Sequence, residues 1–147
     1  MKLNRFALLL AAGLAFVPMA ASAMAAEEPK VTQADQLSWG PAPGLPPGAE
    51  IAVLYGDPSK TGPFAIRLKF PAGYQIATHS HPTDELISFV SGKSRMAFGE
   101  NAKEADAAPM QPGAFMDLPA GAWHSLWIDT ETVVELHSTG PFETHLH

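Results

Sequence analysis

The chain has no cysteine, and that absence removes disulfide staples, thiolate metal ligands and cysteine nucleophiles together. It is also poor in positive charge, with 9 Lys and Arg against 15 Asp and Glu. A net acidic surface disfavours binding to nucleic-acid phosphates and docking on anionic lipid. A small molecule or a metal ion is the partner this charge balance suits better. Long apolar runs are missing too. The uncharged stretch from Phe6 to Val17 is shorter than the roughly 20 residues a membrane-spanning helix needs, so no stable membrane anchor is expected.

That same stretch follows Lys2 and Arg5 and ends in the small residues Ala21-Ser22-Ala23. The pattern is that of a secretory signal peptide over residues 1–23, cut after Ala23 or two residues later. No adjacent arginine pair precedes it, which points to export of an unfolded chain into the periplasm or the medium. Removing Lys2 and Arg5 would leave the mature protein more acidic than the full chain.

Residues 24–48 read as an N-terminal arm. It is polar and unpatterned from Glu27 to about Gln36, and then runs through Trp39 to Gly48 as WGPAPGLPPG. Its prolines lack the N–H groups that a helix or central strand would use, so the segment should lie extended over the body, anchored by Trp39 and Leu45.

From residue 49 to 147 the apolar period is two rather than 3.6. Phe64, Ile66, Leu68 and Phe70 alternate with Ala65, Arg67 and Lys69. Strands are expected at Ile51 to Tyr55, Phe64 to Phe70, Gln75 to His81, Glu85 to Val90, Ser94 to Phe98, Ala114 to Leu118, Ala122 to Ile128 and Glu131 to His137. Only Asn101 to Ala108 has the makings of a helical turn. Short strands at regular spacing with Gly and Pro between them argue for an all-β sandwich or barrel.

Within this frame stand Gly73, His79, His81, Glu85 and Gly92, then Gly113, Pro119, Gly121 and His124. Residues two apart on a strand share a face, so His79 and His81 can grip one ion from adjacent pleats. Pro82 holds His81 in extended geometry and ends the strand. A tight connection can return Glu85 beside them, and the Pro119-Ala120-Gly121 turn launches His124. Three imidazoles, one carboxylate and no thiolate suit one divalent transition metal: iron, manganese, cobalt, nickel, copper or zinc.

The segments GYQIATHSHPTDELISFVSG, residues 73–92, and GAFMDLPAGAWHSLWI, residues 113–128, resemble the two motifs of the cupin superfamily. The second departs at its last position, where an asparagine is usual and Ile128 stands here. The resemblance implies a small jelly-roll β-barrel, often a homodimer, with a metal held by His79, His81, Glu85 and His124. The WGPAP segment and the GPFE ending further resemble small exported single-domain cupins, whose activities are mostly unassigned.

Ile87 and Phe89 stand in phase with Glu85, and Leu126 and Ile128 in phase with His124. An apolar cavity suited to a modest organic molecule is expected. The opposite phase is apolar as well, with Leu86, Val90, Trp123 and Trp127 asking to be covered by a partner sheet, the arm or a second subunit. Gln75, His137, Arg67 and Arg95 are the remaining polar candidates for substrate contact. Gln75 or His137 would handle protons or orient the substrate, His137 only if the last strand turns its mixed face inward. The terminal His145 and His147 are expected to be frayed, at most a weak metal tail. Taken together these residues suit a mononuclear metal-dependent enzyme of dioxygenase, lyase or isomerase type. A binding protein using the same barrel site is the alternative.

Overall fold

Period-two patterning becomes strand throughout the computed structural model, which describes residues 28–147. The expected signal peptide lies outside the described residues. The strands are β1 (Gly40–Pro41), β2 (Glu50–Tyr55), β3 (Gly62–Phe70), β4 (Gln75–Ser80), β5 (Glu85–Ser91) and β6 (Ser94–Phe98). They continue as β7 (Ala108–Met110), β8 (Phe115–Leu118), β9 (His124–Ile128), β10 (Thr132–Gly140) and β11 (His145–Leu146). Among the described residues the helical structure consists of two 3-10 turns, Ala34–Gln36 and Glu104–Asp106, the second inside the stretch where a helical turn was expected. No helix among them is long and apolar enough to cross a membrane.

The strands form two antiparallel sheets, one of six in the order β1-β2-β3-β10-β5-β8 and one of five in the order β11-β4-β9-β6-β7. From β3 to β6 and again from β7 to β11 consecutive strands alternate between the sheets, in the manner of a jelly roll, while β1–β3 and β6–β7 are neighbours within one sheet. Between the sheets lies the core, where Phe64, Ile66 and Phe70 of β3 are almost wholly buried and meet Ile87, Phe89, Leu126, Val134 and Leu136. Each of these sits at an inward position of its strand; β5 and β10 bury residues in alternation over most of their length, whereas all five residues of β9 are buried and Ala65 of β3 is buried between Phe64 and Ile66.

The arm is tied down as its composition suggests. Leu45 packs on the core, the Lys69 ammonium lies 4.6 Å from the centre of the Trp39 ring, and the Tyr74 hydroxyl donates to Pro46 O at 2.7 Å. It also contributes β1, paired with β2. On the outer face of the six-stranded sheet Leu86 and Val90 stay exposed, and nothing among the described residues covers them. Trp127 of the other sheet is buried.

Two readings of the sequence are corrected here. Ala108–Met110, where no strand was expected, is a strand, β7, on the edge beside β6 and contains Pro109. A proline is tolerated there because an edge strand leaves one row of backbone groups unpaired. His145 and His147 are not a frayed tail. β11 pairs with β4, matching His145 with Ser80 and Leu146 with His79, and the His147 N–H donates to Thr78 O at 3.1 Å.

Candidate metal centre

The four residues expected to act together do meet. His79 lies on β4, His81 just beyond its end, and His124 opens β9, directly across the ladder from His79. All three imidazoles are buried, with one ring nitrogen from each within 4.8 Å of the others. Glu85 comes from the opposite sheet, at the start of β5. Its Oε1 is 3.5 Å from His81 Nε2 and its Oε2 is 3.6 Å from His124 Nε2. Two atoms each bound about 2.1 Å from one ion lie about 3.0–3.4 Å apart, so the spacing is near what a shared cation asks.

Backbone bonds hold the two motifs against each other. The Gly121 N–H donates to His81 O at 2.8 Å, the Ala120 N–H donates to Asp84 Oδ1 at 2.8 Å, and the Ser138 hydroxyl donates to Asp84 O at 2.7 Å. Gly121, with φ of 77°, makes the turn that aims its N–H at His81. The connections that carry Glu85 and His124 are thereby fixed to the one that carries His81.

The protonation pattern follows from the hydrogen bonds. His79 Nδ1 bonds Ala77 O at 2.8 Å, His81 Nδ1 bonds Glu143 O at 2.7 Å and His124 Nδ1 bonds Ala122 O at 2.9 Å. A carbonyl only accepts, so in each ring Nδ1 carries the proton and Nε2 keeps its lone pair. Burial pushes His81 and His124 down to about 4, with repulsion from His79 adding to it, and lowers His79 as well. Burial also pushes the Glu85 carboxyl up to about 8. At neutral pH without a cation the cluster is therefore three neutral imidazoles around a protonated carboxyl, not a set of ion pairs. Three oriented lone pairs and a carboxyl ready to ionise form a donor set that fits a divalent transition metal.

An inner cavity of about 40 Å³ is lined by His79, Glu85 and His124 together with Phe70, Ile76 and Leu126. A larger hollow of about 430 Å³ reaches His79 and His81 from the barrel mouth, walled by Leu45 and its neighbours in the arm on one side and by Phe142, Thr144 and Leu146 on the other. Among the described residues no Lys or Arg lines it. Another hollow, of about 460 Å³, lies on the outer face beside Tyr55, Leu86 and His137, away from the three histidines.

The other polar candidates turn away. His137 sits on the outer face, half exposed, with Nε2 3.0 Å from Glu135 Oε1, because β10 buries Val134 and Leu136 instead. Arg67 pairs with Glu135 at 2.9 Å, and Arg95 pairs with Asp129 and Glu104. Gln75 is exposed. Strict alternation would put it on the face of His79, but the β4–β9 register slips between Ile76 and His79. That bulge lets both Ile76 and His79 point inward and turns Gln75 out. Phe142 and the Glu143 carbonyl, by contrast, touch His81 and were not singled out from the sequence. A backbone acceptor leaves no trace in residue identity, and only the GPFE ending marked the place.

Comparison with known proteins agrees with this fold. The model of a family described as the ChrR cupin-like domain matches residues 27–143. No curated protein matches the chain. Among solved structures, the polyketide cyclase RemF from Streptomyces resistomycificus superposes with a TM-score of 0.67 at 10% identity, over 80% of this chain and 84% of its own. A sugar phosphate isomerase of the cupin superfamily from Silicibacter pomeroyi gives 0.63 at 16% identity, over 81% and 82%. KdgF from Halomonas sp. gives 0.57 at 20% identity, over 74% and 93%. At these identities the likeness is one of fold.

Proposed function

The chain belongs to the ChrR cupin-like family, and from that premise we propose that it is an exported metal-dependent enzyme acting on a small, uncharged organic molecule. His79, His81, Glu85 and His124 hold one divalent transition-metal ion. The observation that carries this reading is the triple carbonyl anchoring, which fixes the proton of every imidazole on Nδ1 and aims three Nε2 lone pairs into one buried place. An ion bound there supplies Lewis acidity or redox chemistry to a substrate oxygen. Ile51, Ile66, Leu68 and Ile76 give the hollow an apolar wall, and with no cation in that wall a phosphate or carboxylate has nothing but the metal to pair with.

Export is supported by the Lys2, Arg5 and Phe6 to Val17 pattern. Secreted protein should begin at Met24 or Ala26, and an intact Met1 on its mass spectrum would remove this part. A second reading, a binding protein without catalysis, is favoured by one feature: beyond His79 and His81, no acid or base lines the hollow.

Metal analysis followed by turnover assays separates the two. One equivalent of metal per chain is expected, lost in His81→Ala and in His124→Ala. Reloaded protein should turn over some neutral oxygen-bearing compound faster than a carboxylate of the same size. Stoichiometric metal in both variants would sink the site itself. Tight binding of a ligand that is returned unchanged with every metal would favour the binder.

A further inference from the structure

We propose that the C-terminal segment from Pro141 to His147 is a working part of the metal centre, in which Phe142 and the Glu143 carbonyl are the positioning groups for His81. This rests on His81 being a ligand. His79 and His124 are oriented locally, each ring bonded to a carbonyl two residues back in the chain. His81 has no such support. It stands past the end of β4, and its Nδ1 acceptor comes from Glu143, 62 residues further on.

The face of the same ring is covered by Phe142, stacked at 4.4 Å between centroids with 10° between planes. Phe142 is itself held from behind. Phe64 meets it edge-on at 5.3 Å, and its N–H donates to Pro58 O at 2.8 Å. Beyond Glu143 the segment rejoins the sheet as β11 and ends on the His147 N–H bond to Thr78 O. It is therefore a strap fixed at both ends, with the contact to His81 between the two fixings.

The chemical consequence concerns which nitrogen of His81 carries the proton. With the Glu143 carbonyl in place the proton stays on Nδ1 and the ring plane is set by Phe142, so Nε2 is offered to the ion at no further cost of ordering. Without the strap the ring is free to rotate and to place its proton on Nε2, the form that cannot ligate through that atom. Loss of an outer partner of this kind weakens metal binding about 10- to 100-fold. The strap also supplies Phe142, Thr144 and Leu146 to the wall of the mouth hollow, so the group that readies the ligand also shapes the substrate's approach.

The test uses cobalt(II) as the probe, with affinity measured by chelator competition, together with nitrogen-15 NMR of the imidazoles in the metal-free protein. A chain ending at Gly140 and the Phe142→Leu variant are compared with the intact protein, with Phe142→Tyr as the conservative rescue and His137→Ala, on the outer face, as the control. Leucine keeps apolar bulk against Phe64 but cannot stack, so it decides the matter if the shortened chain does not fold. Both strap variants are expected to bind cobalt about 10- to 100-fold more weakly, and the shortened chain, which lacks the Glu143 carbonyl, to show the His81 proton partly on Nε2. Phe142→Tyr and His137→Ala should match the intact protein in both readouts. Unchanged affinity in Phe142→Leu and in any folded shortened chain, or a His81 proton still wholly on Nδ1 in a folded shortened chain, overturns the proposal. A His124→Ala variant that still binds cobalt stoichiometrically would instead remove the metal-site reading beneath it.

Discussion

Glu85 is buried with the three histidines, and its titration opposes theirs. Its folded pKa is raised by burial from 4.5 to about 8, so the folded chain keeps a proton that the unfolded chain has released. The stability this gives is fully present below the unfolded value and is lost as pH rises through the folded value. His81 and His124 are lowered by burial from 6.5 to about 4. The unfolded chain binds more protons there, and stability is gained as pH rises from 4 to 6.5. At pH 6.5 the unfolded imidazoles are still about half protonated, so their remaining gain up to pH 8 offsets part of the loss from Glu85, and comparison with Glu85→Gln isolates the carboxyl. Relative to Glu85→Gln, the metal-free protein should therefore lose stability between pH 6.5 and 8 at about 1 kcal/mol per pH unit. Urea unfolding of both proteins at pH 6.5 and pH 8 in the presence of a chelator measures it. A saturating divalent cation should remove that loss, since the ion takes the place of the proton. A slope that is the same in Glu85→Gln would place the titration elsewhere.

At the level of elements, the turns decide how precisely the strands are aimed. Gly92 joins β5 to β6 with φ of 86°, and a Cβ there would run into Glu131 O and the Thr132 backbone. Gly73, before β4, has φ of 79° with nothing near the position a Cβ would take. Alanine at Gly73 therefore meets only the torsional penalty of roughly 1–2 kcal/mol. At Gly92 a backbone clash is added, and about 3 kcal/mol or more is expected. Thermal melts of the two variants that came out equal would show that the close approach at Gly92 is relieved at no cost. The strands between such turns were legible because an inward residue at every second position is a pattern in composition. The meeting of His79, His81, Glu85 and His124 was legible because residues two apart on a strand share a face and the turns at Pro82 and Pro119-Ala120-Gly121 return the other two beside them. β11 was not legible, since the two residues His145 and Leu146 are too short a run to show a strand pattern. Nor was the β4 bulge, since an extra residue in a ladder changes the partner strand's register and not the sequence pattern itself. That one bulge misplaces Gln75, while the outward face of His137 follows the ordinary alternation of β10.

For the molecule as a whole, a metal bound at the proposed site would be linked to the fold through mass action. An ion that binds the folded chain and not the unfolded one stabilises it by about 2.7 kcal/mol when its free concentration is a hundred times Kd. For a domain of this size each kcal/mol moves Tm by a few degrees, roughly 3–6 °C. The site offers nitrogen and oxygen donors with no thiolate, so affinity should climb from manganese through iron, cobalt and nickel to copper, with zinc below copper. At one fixed free-metal concentration, the gain in Tm over metal-stripped protein should follow that same order. His145 and His147 are exposed near the chain end and can catch copper on their own, so the series belongs in a background with both replaced by alanine. In that background His124→Ala should abolish the gain for every ion while leaving the metal-free fold intact. The same order also bears on loading. A chain that folds after export meets no cytoplasmic iron pool, so protein recovered from outside the cytoplasm should carry zinc, nickel or copper whatever ion its chemistry uses. A gain in Tm that persists in His124→Ala, or an order in which manganese matches copper, would mean that the ions act somewhere other than between the two sheets.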